Sequence, residues 1–101
     1  MAVIRLDRFK ADPANTDELI SRRNALIAAV RRATPGLVQT RLARVDDETW
    51  IDMWCWDTAS HAQAAVRLAQ AGQIPEAGAA FALTTDATTE FAEIIEGEVG
   101  T

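Results

Sequence analysis

One α+β domain built from two β-α-β halves is predicted by three features of the sequence. Two segments of helical periodicity each lie between runs of alternating hydrophobicity, a three-residue acidic link joins the second and third of those runs, and the chain has 101 residues, the usual size of one domain. The apolar share of 49% and the charged share of 25% match a globular chain and not a disordered one. Residues 1–101 are therefore read as a single domain. A chain this short buries a small fraction of its surface, so pairing with a second copy would help it.

The first strand runs from Val3 to Ala11, with Ile4 and Leu6 on one side and Val3, Arg5, Asp7 and Phe9 on the other. Asp12-Pro13-Ala14-Asn15 breaks it. Asn15 and Glu18 have the spacing of a capping box, so a helix is expected from near Thr16. Leu19, Leu26, Ile27 and Val30 give that helix an apolar stripe, and Pro35-Gly36 ends it. The second strand covers Leu37 to about Val45, Asp46-Asp47-Glu48 suits a hairpin loop, and the third strand, Thr49 to Trp56, returns antiparallel. Its alternation divides Trp50, Asp52, Trp54 and Trp56 from Ile51, Met53 and Cys55.

Ser60 and Gln63 repeat the capping spacing at the start of an Ala-rich second helix, where Ala62, Ala65, Val66 and Ala69 lead to a stop at Gly72. Pro75 opens a further turn or two of helix through Leu83. Thr84 to Thr89 reads as a loop, Phe91 to Glu96 as the final strand, and Gly97 onward as a loose tail or a dimer-crossing extension. The order βαββαβ is the ferredoxin-like one, a four-stranded antiparallel sheet with its helices on one face. The three tryptophans and Phe9 are expected on the other face. Exposed to water they would form a patch larger than monomers tolerate, and at about 25 cal/mol per Å² covering three indoles is worth several kcal/mol. A second copy of the sheet is the simplest cover. Cys55, sharing its face with Ile51 and Met53, is then inert packing against the helices.

Composition excludes several function classes. A net charge of −5 argues against a nucleic-acid backbone as partner. The one basic cluster, Arg22, Arg23, Arg31 and Arg32, reads as a solvated helix face with a dipole-compatible last turn. A lone cysteine fits a reducing compartment, no leader pattern opens the sequence, and no apolar run suits a membrane span, so a cytoplasmic location is expected. One Cys and one His cannot make a structural zinc site, and the scattered glycines form no phosphate loop. Neither a metal nor a nucleotide cofactor is implied. Glu90, Glu93, Glu96 and Glu98 read as solvated positions.

The N-terminal strand, the Thr34-Pro35-Gly36 turn, the acidic hairpin and the strand end Trp56-Asp57 followed by Ala59-Ser60-His61-Ala62 together resemble the antibiotic biosynthesis monooxygenase family of dimeric α/β barrels. The likeness covers nearly the whole chain. It implies a homodimer and a cofactor-independent monooxygenase acting on an aromatic or quinone-type small molecule in a pocket between sheet and helices. In the family's quinone-forming members a strand Asn and a Trp line the pocket beside a helix Tyr. Trp56 matches the Trp, Asp52 stands at the Asn position, and the Tyr position falls near Ala62. A haem-degrading relative would carry an axial His between Gly72 and Leu83, where this chain has none.

Oxygenation without a cofactor needs a substrate that can itself reduce oxygen, a base, an anchor for the developing anion, and exclusion of water. Asp52 or Asp7 can supply the base and Arg5 or Arg41 the anchor, while Trp50, Trp54 and Trp56, with Phe9, can hold a flat ring. Trp56 and Asp52 are thus the candidate catalytic pair. Trp50, Trp54, Arg5, Asp7, Phe9, Arg41 and His61 are the candidate binding residues. Against this stand a cross-strand Asp–Arg ion pair, a purely structural indole cluster and a solvent-facing His61. The competing functions are a non-catalytic small-molecule-binding or dimerisation module of the same fold, and an isomerase or lyase moving protons through Asp and His.

Overall fold

A computed structural model describes residues 1–97. Strand β1 (Val3–Lys10) leads through a 3-10 turn (Pro13–Asn15) into helix α1 (Thr16–Ala33). Strands β2 (Leu37–Arg44) and β3 (Thr49–Trp56) form a hairpin, and helices α2 (Ala59–Gln70) and α3 (Pro75–Phe81) precede strand β4 (Thr85–Glu93). The sheet is antiparallel throughout, in the order β2-β3-β1-β4, which is the ferredoxin-like arrangement.

Local chemistry explains the joints, with two differences from the sequence reading. Asn15 makes no side-chain cap. Asp12 instead caps the 3-10 turn, accepting from the Ala14 amide at 2.9 Å, and the hydroxyl of Thr16 donates to the Pro13 carbonyl at 2.8 Å. At α2 the cap is Thr58 rather than Ser60, its hydroxyl accepting from the His61 amide at 3.2 Å. In the β2–β3 loop Asp46 accepts from the amides of Glu48 and Thr49 at 3.0 and 2.8 Å, and these bonds hold its carboxyl below the usual range. Gly36 is needed where it stands. Its φ is +105°, and a Cβ there would lie 2.6 Å from both the Asp57 carboxylate and His61.

The helices lie on the tryptophan side of the sheet, which reverses the expected facing. Trp54 and Trp56 are buried with Leu26, Ala29 and Val30 of α1, Ala62 and Ala65 of α2, and Ala77 and Ala80 of α3. Alanine on α2 and α3 gives these helices a flat surface that can approach the indoles closely, which a bulkier stripe would prevent. A second cluster joins Phe9, Ala11 and Trp50 to Leu19. Ile4, Leu6, Ile51 and Met53 therefore belong to the uncovered face, as does Cys55 by strand alternation, so Cys55 does not pack under the helices.

β4 also differs. Residues 85–89 are strand, not loop, paired to β1 from Thr85 to Glu93. Between Arg8 and Lys10 the register shifts and Asp86 takes a φ of +53°, so a bulge interrupts the alternation while the β-branched threonines keep the strand extended. Phe91–Glu93 pair as strand, but the element ends at Glu93 and not Glu96. The tail expected from Gly97 onward lies outside the described residues beyond Gly97 itself. Among the described residues no helix is long and apolar enough to cross a membrane.

Candidate functional site

Between the sheet and the helices lie two adjoining cavities of about 60 Å³ each, both lined by Arg5, Asp7, Leu26, Asp52 and Phe81. One reaches Trp54 and Trp56, the other Phe9, Arg23 and Thr89. The floor is set by strand register. Asp7 of β1 lies directly opposite Asp52 of β3, and Arg5 opposite Trp54, so all four side chains share the helix-facing side.

Two carboxylates facing one another across neighbouring strands repel, and each is 9% exposed, so each needs a counter-charge. They obtain it in different ways. Asp52 is gripped by Arg23 of α1, whose Nε lies 3.1 and 3.0 Å from the two carboxylate oxygens and whose Nη2 lies 2.8 Å from Oδ1; the Trp54 indole N–H donates to Oδ1 at 3.0 Å. Asp7 has a looser partner in Arg5, with Nε 3.3 Å from Oδ2 and 3.4 Å from Oδ1, and the Thr89 hydroxyl donates to Oδ1. The Arg5 guanidinium also sits over the Phe91 ring, 5.9 Å from its centroid. Trp54 and Trp56 stack at 6.5 Å with 26° between their planes, and both line the cavity.

Of the residues singled out in the sequence, Trp56, Asp52, Trp54, Arg5, Asp7 and Phe9 line these cavities. Trp50 is on the same face but lies beyond them, packed with Phe9 and Leu19 under the Arg44 guanidinium at 4.5 Å. Arg41 is on the uncovered face, beside Met53 and exposed, so it cannot anchor anything in this cavity. His61 is at the β3–α2 junction outside the cavity lining. Its Nδ1 is 2.7 Å from Asp57, and this hydrogen bond holds the Asp57 carboxyl below the usual range. Burial raises the Cys55 thiol, which keeps it protonated and unreactive at neutral pH.

Arg23 was missed in the sequence. Its side chain is only 12% exposed, so it is no part of a solvated face. The signal was present. Leu19, Arg23, Leu26 and Val30 follow helical spacing, and Arg23 fills the gap in the apolar stripe, where a charge must find a buried partner. Thr89 was hidden by the loop reading of residues 84–89, and Phe81 by its 47% exposure at the end of a short helix. Among the described residues no group of three His, Cys, Asp or Glu side chains could hold a metal ion.

The same fold occurs in solved structures, among them a cofactor-independent oxygenase and candidate antibiotic biosynthesis monooxygenases. Two crystal structures of SnoaB, a cofactor-independent oxygenase from Streptomyces nogalater, one of them a point mutant, match over 95% of both chains. Their identities are 27% and 26%, with TM-scores of 0.75 and 0.72. A candidate antibiotic biosynthesis monooxygenase from Caulobacter crescentus matches over 94% of this chain and 91% of its own at 15% identity and a TM-score of 0.73, a likeness of fold alone. No protein-family model and no curated protein matches the sequence.

Proposed function

We propose that this protein is a cofactor-independent oxygenase, working as a homodimer on an aromatic, quinone-forming molecule held between sheet and helices. The observation that carries the reading is the meeting of a stacked indole pair with two carboxylates and a loosely paired guanidinium around one cavity between sheet and helices. The similarity to an oxygenase named as cofactor-independent supports it. A ring lying on Trp54 and Trp56 puts its acidic C–H or O–H toward Asp7 and Asp52. Removal of that proton gives an enolate or phenolate beside Arg5, and the electron-rich ring then reduces oxygen directly. For a ring CH₂ the balance is CH₂ + O₂ → C=O + H₂O, with both oxygen atoms accounted for and no external reductant. Desolvation strengthens each charge interaction along this path.

At about 60 Å³ each cavity is small for a fused ring, so a substrate of that size enters by displacing a side chain of the wall. Phe81 lines both cavities and is half exposed, and its movement is the proposed way in. The same small volume is the one feature favouring a non-catalytic binding module. Oxygen uptake with a panel of hydroxyanthrones and hydroquinones separates the two: stoichiometric consumption with quinone formation supports the oxygenase, and a silent panel with saturable ligand binding supports the module.

The proposed dimer interface is the uncovered sheet face. Ile4, Leu6, Ile51 and Met53 are there, and Val38 and Val45 stand 57% and 49% exposed on the edge strand and its loop. Placed there, a partner covers apolar area without entering the cavity.

A further inference from the structure

Asp7 and Asp52 face each other across the same cavity floor, yet their hydrogen bonding is unequal. Both Asp52 oxygens accept from Arg23, and Oδ1 also accepts from Trp54. Using Asp52 as a base would put a proton onto an oxygen already held by a guanidinium fork and would loosen the indole that Oδ1 orients. Asp7 differs. Its Oδ1 accepts from Thr89 and, at 3.4 Å, from Arg5, whereas Oδ2 has no hydrogen-bond donor among the described residues, only the Arg5 charge at 3.3 Å. No buried side-chain oxygen lacks a partner among those residues, so Oδ2 must meet open space, and Asp7 lines both cavities.

We infer that Asp7 is the catalytic base and Arg5 the anion holder, while Asp52 is a positioning residue that, clamped by Arg23, fixes the Trp54 indole against the substrate ring. The inference deepens the oxygenase reading and rests on it for the substrate class. In the step assigned to Asp7, the C–H bond of an anthrone CH₂ breaks, its proton passes to Asp7 Oδ2, and the electron pair moves into the ring as an enolate. The enolate oxygen takes up the Arg5 guanidinium as its contact with the now neutral Asp7 weakens. No oxidant is needed for this step, so it can be observed alone.

The test is deuterium incorporation at the CH₂ of a hydroxyanthrone in anaerobic D₂O, followed by NMR with wild type, Asp7→Asn, Asp52→Asn and the doubly neutral Arg5→Gln/Asp7→Asn protein. Near-ultraviolet circular dichroism verifies folding, and the double variant removes any lone charge that Asp7→Asn leaves behind. The expected result is acceleration by the wild type and a saturated exchange rate lowered by about 100-fold or more in both Asp7 variants, within the usual range for loss of a general base. Asp52→Asn should instead raise the half-saturating concentration several-fold, lower the saturated rate less than tenfold, and alter the near-ultraviolet tryptophan signal. Wild-type exchange in the Asp7 variants, absence of exchange in the wild type, or the large loss appearing in Asp52→Asn would each overturn the assignment. Oxygen uptake is measured separately: exchange without uptake rejects the oxygenase and keeps the base, and uptake that survives Asp7→Asn rejects the base and keeps the oxygenase.

Discussion

The two faces of the sheet both carry apolar side chains but meet different surroundings. The helix-covered face holds the indoles together with Arg5, Asp7, Asp52 and the inserted Arg23, while the uncovered face offers Ile4, Leu6, Ile51 and Met53 with the exposed Arg8 and Arg41 beside them. The difference teaches that apolar character alone does not separate a core from an interface here. Buried charge does: a carboxylate stays deep in the protein only where a guanidinium can reach it, from α1 for Asp52 and from β1 for Asp7.

The largest expected contrast comes from truncating one aromatic on the covered face. Trp56→Ala should cost about 4 kcal/mol, as buried Trp to Ala changes do, while Met53→Ala on the other face should cost about 1 kcal/mol in urea titrations of dilute protein. Equal costs would erase the distinction between the faces. Next in size is the charge inserted between sheet and helix. Arg23→Ala leaves Asp52 buried and unpaired and should cost about 3 kcal/mol, whereas Arg31→Ala, exposed on the same helix, should change stability by less than about 0.5 kcal/mol in the same titration.

Alternation divided the β3 side chains into the right two sets, and the order of elements followed from periodicity together with turn and breaker residues. Which set faces the helices was not legible, because both sets can be buried and strand alternation has no sign. The deciding information lay on α1, where Arg23 interrupts an apolar stripe opposite Asp52, a match visible only once helix and strand are placed together. β4 was read short for a related reason. The bulge at Asp86 removes the period-2 signal, and every β4 side chain is exposed in the protomer, so no apolar row marks the strand. Asp52, Trp56, Arg5 and Asp7 stood out in the sequence by type and spacing, and all four line the cavity between sheet and helices. Arg41 was not excluded because its face was ambiguous until pairing with Met53 fixed it.

A subtler effect concerns assembly. Leu6→Asp on the uncovered face should leave the circular dichroism spectrum of the fold intact and shift the sedimenting species from dimer to monomer; a dimer that survives the change would place the interface elsewhere. The smallest effects arise outside both faces. The Asp57 carboxyl is held below its ordinary value of 3.8 by His61, so the folded state binds this proton more weakly than the unfolded chain. Its contribution is present above pH 3.8 and fades as pH falls below that value through the lower folded value. His61→Ala should therefore flatten the acid limb of the stability profile slightly. Cys55 has the opposite sign. Its thiol is raised above 9.0 by burial, so stability contributed by the protonated form is complete below pH 9.0 and declines above it.

The account depends on Trp54 and Trp56 forming the wall of a ligand cavity that bulk solvent does not reach. Tryptophan emission titrated with a hydroxyanthraquinone, with iodide added at each point, measures this directly. The predicted result is saturable quenching by the quinone, with iodide having little effect before or after it binds. Free quenching by iodide, together with no saturation by the quinone, would contradict it.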